Sequence, residues 1–221
     1  MVPFPIKVTQ PSYSRPVVTV SLIVANVLVF LHQISLDPYS LHQYIADYGL
    51  RPNPHYFHFA NIFTAMFVHA GWVHIGGNML FLWVFGDNVE DILGHGKFLL
   101  FYLLCGVAAA LAQIAASPLS TVPMVGASGA IAGVMGAYLV RFPRSHVEML
   151  FFAIFFFRFE VAAWFMLAYW FVIQIAGGFG GTEASQSGTA FFAHVGGFVA
   201  GIVLVNIMGT RERGSRRDLS W

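Results

Sequence analysis

Val125-Gly126-Ala127-Ser128-Gly129-Ala130-Ile131-Ala132-Gly133-Val134-Met135-Gly136 is the stretch that decides the fold. A serine heads an apolar run that continues to Val140, and small residues recur four apart, Gly129 with Gly133 and Ala132 with Gly136. In lipid, that spacing lets a second helix come to backbone contact distance. Ala193-His194-Val195-Gly196-Gly197-Phe198-Val199-Ala200-Gly201 has the same texture, with Ala193, Gly197 and Gly201 as its stripe and His194 beside it. Two helices that can touch, one with a serine and one with a histidine, can bring a nucleophile to its base.

Hydrophobic residues make up 57% of the 221, and 10% are charged. A soluble domain is about a quarter charged, so composition alone indicates a polytopic membrane protein. A net charge of +1 gives no case for nucleic acid, and the single cysteine, Cys105, excludes an internal disulfide. The first apolar run is preceded by a polar stretch and followed by no small-residue cleavage pattern, which reads as a retained anchor rather than a signal peptide.

Residues 1–16, with Pro3, Pro5, Pro11 and Pro16, read as a polar N-terminal tail. The first helix is expected over 17–36. Residues 37–70 are too polar to span, and their tyrosines and phenylalanines suggest short pieces lying in the membrane interface. A second helix is expected over 71–85, closed by Gly86-Asp87 and an acidic turn from Asp87 to Asp91, and a third over 98–116. The fourth runs over 127–140. Residues 145–159 are apolar but bracketed by Arg144 and Arg158, so they either dip into the interface, the favoured reading, or begin a long fifth helix. That fifth helix is expected over 160–176, close to the length a bilayer needs. A Gly- and Ser-rich loop over 177–188 precedes a sixth helix over 189–208 and a basic tail over 209–221.

Six spans put both termini on one side. Lys7, Arg15, Lys97, Arg141, Arg144, Arg158, Arg211, Arg213, Arg216 and Arg217 then share that side, and Arg51 alone falls opposite. The positive-inside rule makes the shared side cytoplasmic. The domains expected are thus a cytoplasmic tail (1–16), a six-helix body (17–208) and a basic cytoplasmic tail (209–221), in an all-α polytopic bundle. The membrane expected is the cell (plasma or inner) membrane of a prokaryote.

Helices two, four and six enter from the outer face. His74, Asn78, Ser128 and His194 all fall within their first turns, roughly 5–10 Å deep at the helical rise per residue. Unpaired polar groups at that depth are costly, which marks them as functional. Each has a plainer alternative: a serine or histidine can serve only as an interhelical hydrogen bond, and His74 with Asn78 can simply bridge to a neighbour. The histidines of the first loop, His42, His55, His58 and His69, read as solvated or interfacial, and Trp164, Phe165, Trp170 and Phe171 as lipid-facing. No His-Glu-x-x-His is present, and His69 and His74, five apart, do not share a helical face. Ala130 stands where a hydrolase elbow has its second glycine. No Asp or Glu lies near the outer face of helices two, four or six, and Glu183 sits in a loop. Any nucleophilic machinery here must therefore be a Ser–His dyad without a buried carboxylate.

Taken together, His69-x4-His74-x3-Asn78, Gly126-x-Ser128-Gly129 and Ala193-His194-x2-Gly197 resemble the rhomboid family of intramembrane serine proteases over roughly Asn61 to Gly201. The resemblance implies a six-transmembrane-helix rhomboid-like bundle, with Ser128 as nucleophile and His194 as general base. It implies that His74, Asn78 and the Ser128 N–H bind the oxyanion, with Gly126 as the conformationally permissive residue before the serine. It also implies sideways entry of substrate between helices two and five. The Glu90 turn resembles the family's cytoplasmic end of helix two. Two positions depart. Ala132 stands one turn after the serine, where some members stack an aromatic ring on the histidine. Arg51 follows Leu50 and has no tryptophan before it, unlike the Trp-Arg pair of some members.

The function expected is an endopeptidase that cleaves transmembrane protein substrates in the lipid bilayer near its outer face, with no metal and no other cofactor. Gly129, Gly197 and Gly201 are expected beside the site as the helix contact. The rival is a catalytically inactive rhomboid-like protein that binds transmembrane helices, and behind it a small channel or transporter. No internal repeat or pair of broken helices supports the latter.

Overall fold

The computed structural model describes residues 4–152, 156–179 and 190–209. Glu183 and the tail arginines Arg211, Arg213, Arg216 and Arg217 lie outside them. In chain order the elements are β1 (Phe4–Val8), α1 (Val17–Ile34), α2 (Pro38–Tyr48), α3 (Asn61–Thr64), α4 (Trp72–Leu93), α5 (His95–Ala116), α6 (Ser128–Arg141), β2 (His146–Phe152), β3 (Phe156–Ala162), α7 (Ala163–Gly178) and α8 (Phe191–Ile207). Among the described helices, α1 and α5 are long and apolar enough to cross a membrane, and α7 and α8 are apolar but shorter.

The bundle is built around α6, in which every residue from Gly129 to Tyr138 is buried. A helix apolar on all sides belongs in the interior, and this one packs against α4, α5, α7 and α8. Small residues set the distances. A Cβ on Gly197 would run into the Gly129 carbonyl oxygen, and one on Gly201 into that of Gly133. On the α5 side Gly129 faces Ala109, Gly133 faces Cys105, and Gly196 faces Ala112. Three helices therefore meet at backbone distance.

The chain is mostly helical but not all-α. β1, β2 and β3 form an antiparallel sheet in that order, with register Phe4↔Leu150 to Val8↔Val147 and His146↔Ala162 to Phe152↔Phe156. The N-terminal tail is thus partly strand, and the described residues of the 145–159 segment are strand as well, so they do not begin a long fifth helix. Val147 and Met149 are buried between the more exposed His146, Glu148 and Leu150, the period-two pattern of a half-buried strand. Pairing gives the backbone groups of these short segments their partners, and Arg158 Nη1 donates to Glu148 Oε1 across the hairpin at 3.2 Å.

A second correction concerns the end of α4. Gly86-Asp87 does not stop the helix, and the acidic residues through Asp91 are helical. Long-range partners explain it. Fully buried Glu90 accepts from the Val18 and Thr19 amides and the Thr19 hydroxyl at 2.7–2.8 Å. Asp91 accepts from the amides of Ser14 (2.8 Å) and Tyr13 (3.3 Å). Two carboxylates thus sit at the N-terminus of α1, where the unpaired amides and the helix dipole favour negative charge. Gly86 lies against Thr19 of the same helix. α4 ends instead at Gly94, whose φ of 75° suits a glycine cap.

At the opposite end of α4, α2 and α3 form a small layer over the site. Asn61 donates from Nδ2 to the carbonyls of Asp47 and Gly49, and Thr64 Oγ1 to that of Tyr48. Leu50 and Met124 exchange both backbone hydrogen bonds, and the Gly126 amide donates to Ala65 at 2.8 Å. The segment preceding Ser128 is thereby pinned to the first loop.

Candidate active site

Ser128 opens α6, and His194 lies in the first turn of α8. The glycine contacts hold these two helices together, and Ser128 Oγ is 2.7 Å from His194 Nε2. The other ring nitrogen, Nδ1, donates to Gln174 Oε1 of α7, also at 2.7 Å. With Nδ1 protonated, Nε2 presents a lone pair and the serine hydroxyl is the donor. Trp170, one turn before Gln174, lays its ring beside the imidazole with centroids 5.6 Å apart.

Gln174 is missing from the sequence reading, and Trp170 and Phe171 are misread there as lipid-facing. Phe171 stacks on Phe198 at 4.5 Å, while Trp164 and Phe165 are exposed as expected. One signal was available: Gln174 is the lone carboxamide in an otherwise apolar helix, and such a group in lipid needs a partner. The aromatic neighbour missing at Ala132 is supplied from another helix.

His74 and Asn78 project from the first two turns of α4 toward the same spot. His74 Nδ1 accepts from the Ala70 amide at 3.3 Å, which leaves Nε2–H as its free donor. Asn78, buried, donates one Nδ2–H to the His74 carbonyl at 2.9 Å and retains a second. Between them and Ser128 runs Gly126 with φ of 114°, a conformation that favours glycine. His74 Nε2 and Cε1 lie 2.7 Å from where a Cβ on residue 126 would sit, so a side chain is excluded on steric grounds as well. As the first residue of α6, Ser128 also presents one of the amides that have no partner within the helix.

His69 is not solvated. It is buried, its ring edge-on to His74 at 5.2 Å, its Nδ1 donating to the Phe67 carbonyl at 3.2 Å. The buried Gln33 side chain clamps its backbone, accepting from the His69 amide and donating to its carbonyl, both at 3.0 Å. His42, His55 and His58 are exposed, and Arg51 stacks on Tyr56 at 4.5 Å. His69 and His74 meet despite their spacing because His69 precedes α4 rather than lying on it.

Ser128, His194, His74, Asn78, Gly126 and Trp170 line one cavity of about 630 Å³. A hydroxyl directed at an imidazole lone pair can be deprotonated as it attacks, and donors across the cavity can receive negative charge.

The model of the rhomboid domain family matches residues 56–211. The chain is 42% identical over 78 residues to rhomboid protease GluP of Bacillus subtilis, covering 35% of this chain and 15% of that protein. It is 30% identical over 195 residues to the chloroplastic rhomboid-like protein 11 of Arabidopsis thaliana (82% and 65%). With the mitochondrial rhomboid protein 1 of Saccharomyces cerevisiae it shares 28% over 147 residues (65% and 40%). The chain thus spans less than two thirds of each relative's length. These relatives come from a bacterium as well as from mitochondria and a chloroplast, so they do not single out the expected prokaryotic cell membrane. With its family model matched over most of its length, the chain belongs to the rhomboid family.

Proposed function

We propose that the protein is an intramembrane serine endopeptidase that hydrolyses peptide bonds in or near transmembrane segments of membrane proteins. The observation that carries this reading is the 2.7 Å hydrogen bond between Ser128 Oγ and His194 Nε2 at a cavity rimmed by further donors. Ser128 Oγ attacks the scissile carbonyl while His194 Nε2 takes its proton. Negative charge grows on the carbonyl oxygen, and His74 Nε2–H, Asn78 Nδ2–H and the Ser128 amide stabilise it. His194 then protonates the leaving amine, and the acyl-enzyme is cleared by water that gives its proton to the same nitrogen.

In this reading α1, α4, α5, α6, α7 and α8 are the six spans, within a body of residues 17–208 flanked by cytoplasmic tails (1–16 and 209–221). α6, only about 21 Å long at the helical rise, starts below the outer surface and is sheltered from lipid by its neighbours. Charge supports the orientation: Lys97 Nζ caps the carbonyl of Met208 and an Arg141 guanidinium that of Val205, at the end of the bundle remote from Ser128. Arg158 lies there too, on the sheet.

The test is cleavage of a single-span transmembrane peptide by purified protein in liposomes. Wild type cleaves, and Ser128→Ala and His194→Ala lose cleavage while unfolding at the same temperature as wild type. EDTA leaves the rate unchanged, because the proposed steps use only protein groups and water. A folded wild type that binds the peptide without cutting it would instead be an inactive, helix-binding rhomboid.

A further inference from the structure

Gln174 is the one carboxamide in α7, and it is buried. An amide in an apolar environment is costly unless bonded. Its Oε1 accepts from the Nδ1 of His194 at 2.7 Å, and Trp170, on the same face of α7, packs beside the imidazole. Ala163 and Leu167 continue that buried face toward the start of the helix, so α7 is oriented with Gln174 inward.

We propose that Gln174 is the positioning residue of the site, fixing the tautomer and ring plane in which His194 Nε2 can take the Ser128 proton. The inference rests on the protease reading. With the proton on Nδ1, the Nε2 lone pair faces the hydroxyl; with the proton on Nε2, the serine has nothing to accept its own. In a well-characterised serine protease a carboxylate holds the tautomer, and the wrong one lowers kcat about 10⁴-fold. The amide does this without charge, which suits a site where a buried carboxylate would need a counter-ion. Its contribution is orientation, so the effect belongs in kcat rather than in substrate affinity.

The experiment uses the full chain in liposomes, with one transmembrane peptide and the variants Gln174→Leu, Gln174→Asn and Gln174→Glu. Gln174→Leu keeps the shape and removes the acceptor; kcat should fall on the order of 10- to 1000-fold, with KM within about threefold. Gln174→Asn, one methylene too short to reach, should fall alongside it. Gln174→Glu restores an acceptor at the right reach and should recover to within about tenfold of wild type, a rescue that a packing role alone would not produce. An independent readout is ¹⁵N NMR of histidine-labelled protein, with His194 identified from its loss in His194→Gln. Wild type should show the Nδ1–H form and Gln174→Leu a mixture. Unchanged kcat in Gln174→Leu, or an Nε2–H form in wild type, overturns this role and leaves the protease reading standing. A wild type that neither cleaves nor reacts with a fluorophosphonate overturns the protease reading, and this role with it.

Discussion

Gly197 of α8 gives up to the Gly129 carbonyl oxygen of α6 the space that a Cβ would occupy. The obstruction is main chain, which cannot swing aside as a flexible side chain could. His194 lies one turn before Gly197, and Ser128 directly precedes Gly129, so this contact sets the distance between the Ser128 hydroxyl and the His194 ring.

Gly197→Val is therefore expected to separate α6 from α8. A displacement of about 1 Å at a reacting pair costs on the order of a hundredfold in rate. Cleavage should drop at least that far, with a lowered unfolding temperature. Full activity in Gly197→Val would show that the helix contact does not govern the site.

Asn78→Ala tests the donors across the cavity. Removing one oxyanion donor costs about 2.7–4 kcal/mol in a known hydrolase. Because His74 and the Ser128 amide remain, turnover should fall roughly ten- to a thousandfold with little change in peptide affinity. The double variant with His74→Ala should fall further than either single one, but less than their product, since the donors share one charge. Lost binding with retained turnover would make the pair a structural clamp.

Glu90→Ala probes the far end of α4. It leaves the Val18 and Thr19 amides and the Thr19 hydroxyl without their carboxylate, and deprives His95 Nδ1 of its partner at 2.6 Å. Removing one side of a buried charged network costs about 3–5 kcal/mol, which for a chain of this size lowers the melting temperature by roughly 10 °C. Thermal unfolding in detergent measures it. The cleavage rate of the folded fraction at 25 °C should stay near wild type, and Glu90→Gln should lose less stability than Glu90→Ala.

His69 makes stability depend on pH. Burial, reinforced by neighbouring His74, lowers its pKa from 6.5 to about 4. The unfolded chain thus gains a proton near pH 6.5 that the folded protein refuses until about pH 4. Its contribution is whole above pH 6.5, declines as pH falls toward 4, and is gone below that. Melting temperatures measured from pH 7.5 to 4 should decline less steeply in His69→Phe than in wild type; parallel curves would assign the dependence to another group.

The sequence by itself determined that α6 and α8 can touch and that Ser128 and His194 stand beside the contact, because each small-residue stripe is local to its own helix. Residue size at four-residue spacing decides how closely α6 and α8 can approach, and Ser128 and His194 sit beside those stripes. Gly126 is expected as a permissive residue only from the family resemblance, and its φ of 114° is a finding of the structure. What tertiary structure decided was which distant groups meet. β1 finds β2 some 140 residues away, so neither segment reads as strand from its own composition. Asp87 to Asp91 look like a turn until the N-terminus of α1 supplies the donors that hold them in a helix. Gln174 and Trp170 face His194 only because α7 is rotated by its packing against α6 and α8, and hydropathy averaged along an apolar helix does not encode that rotation. Periodicity reports how a segment can fold, whereas a hydrogen-bond partner across the bundle depends on the positions of all the helices at once.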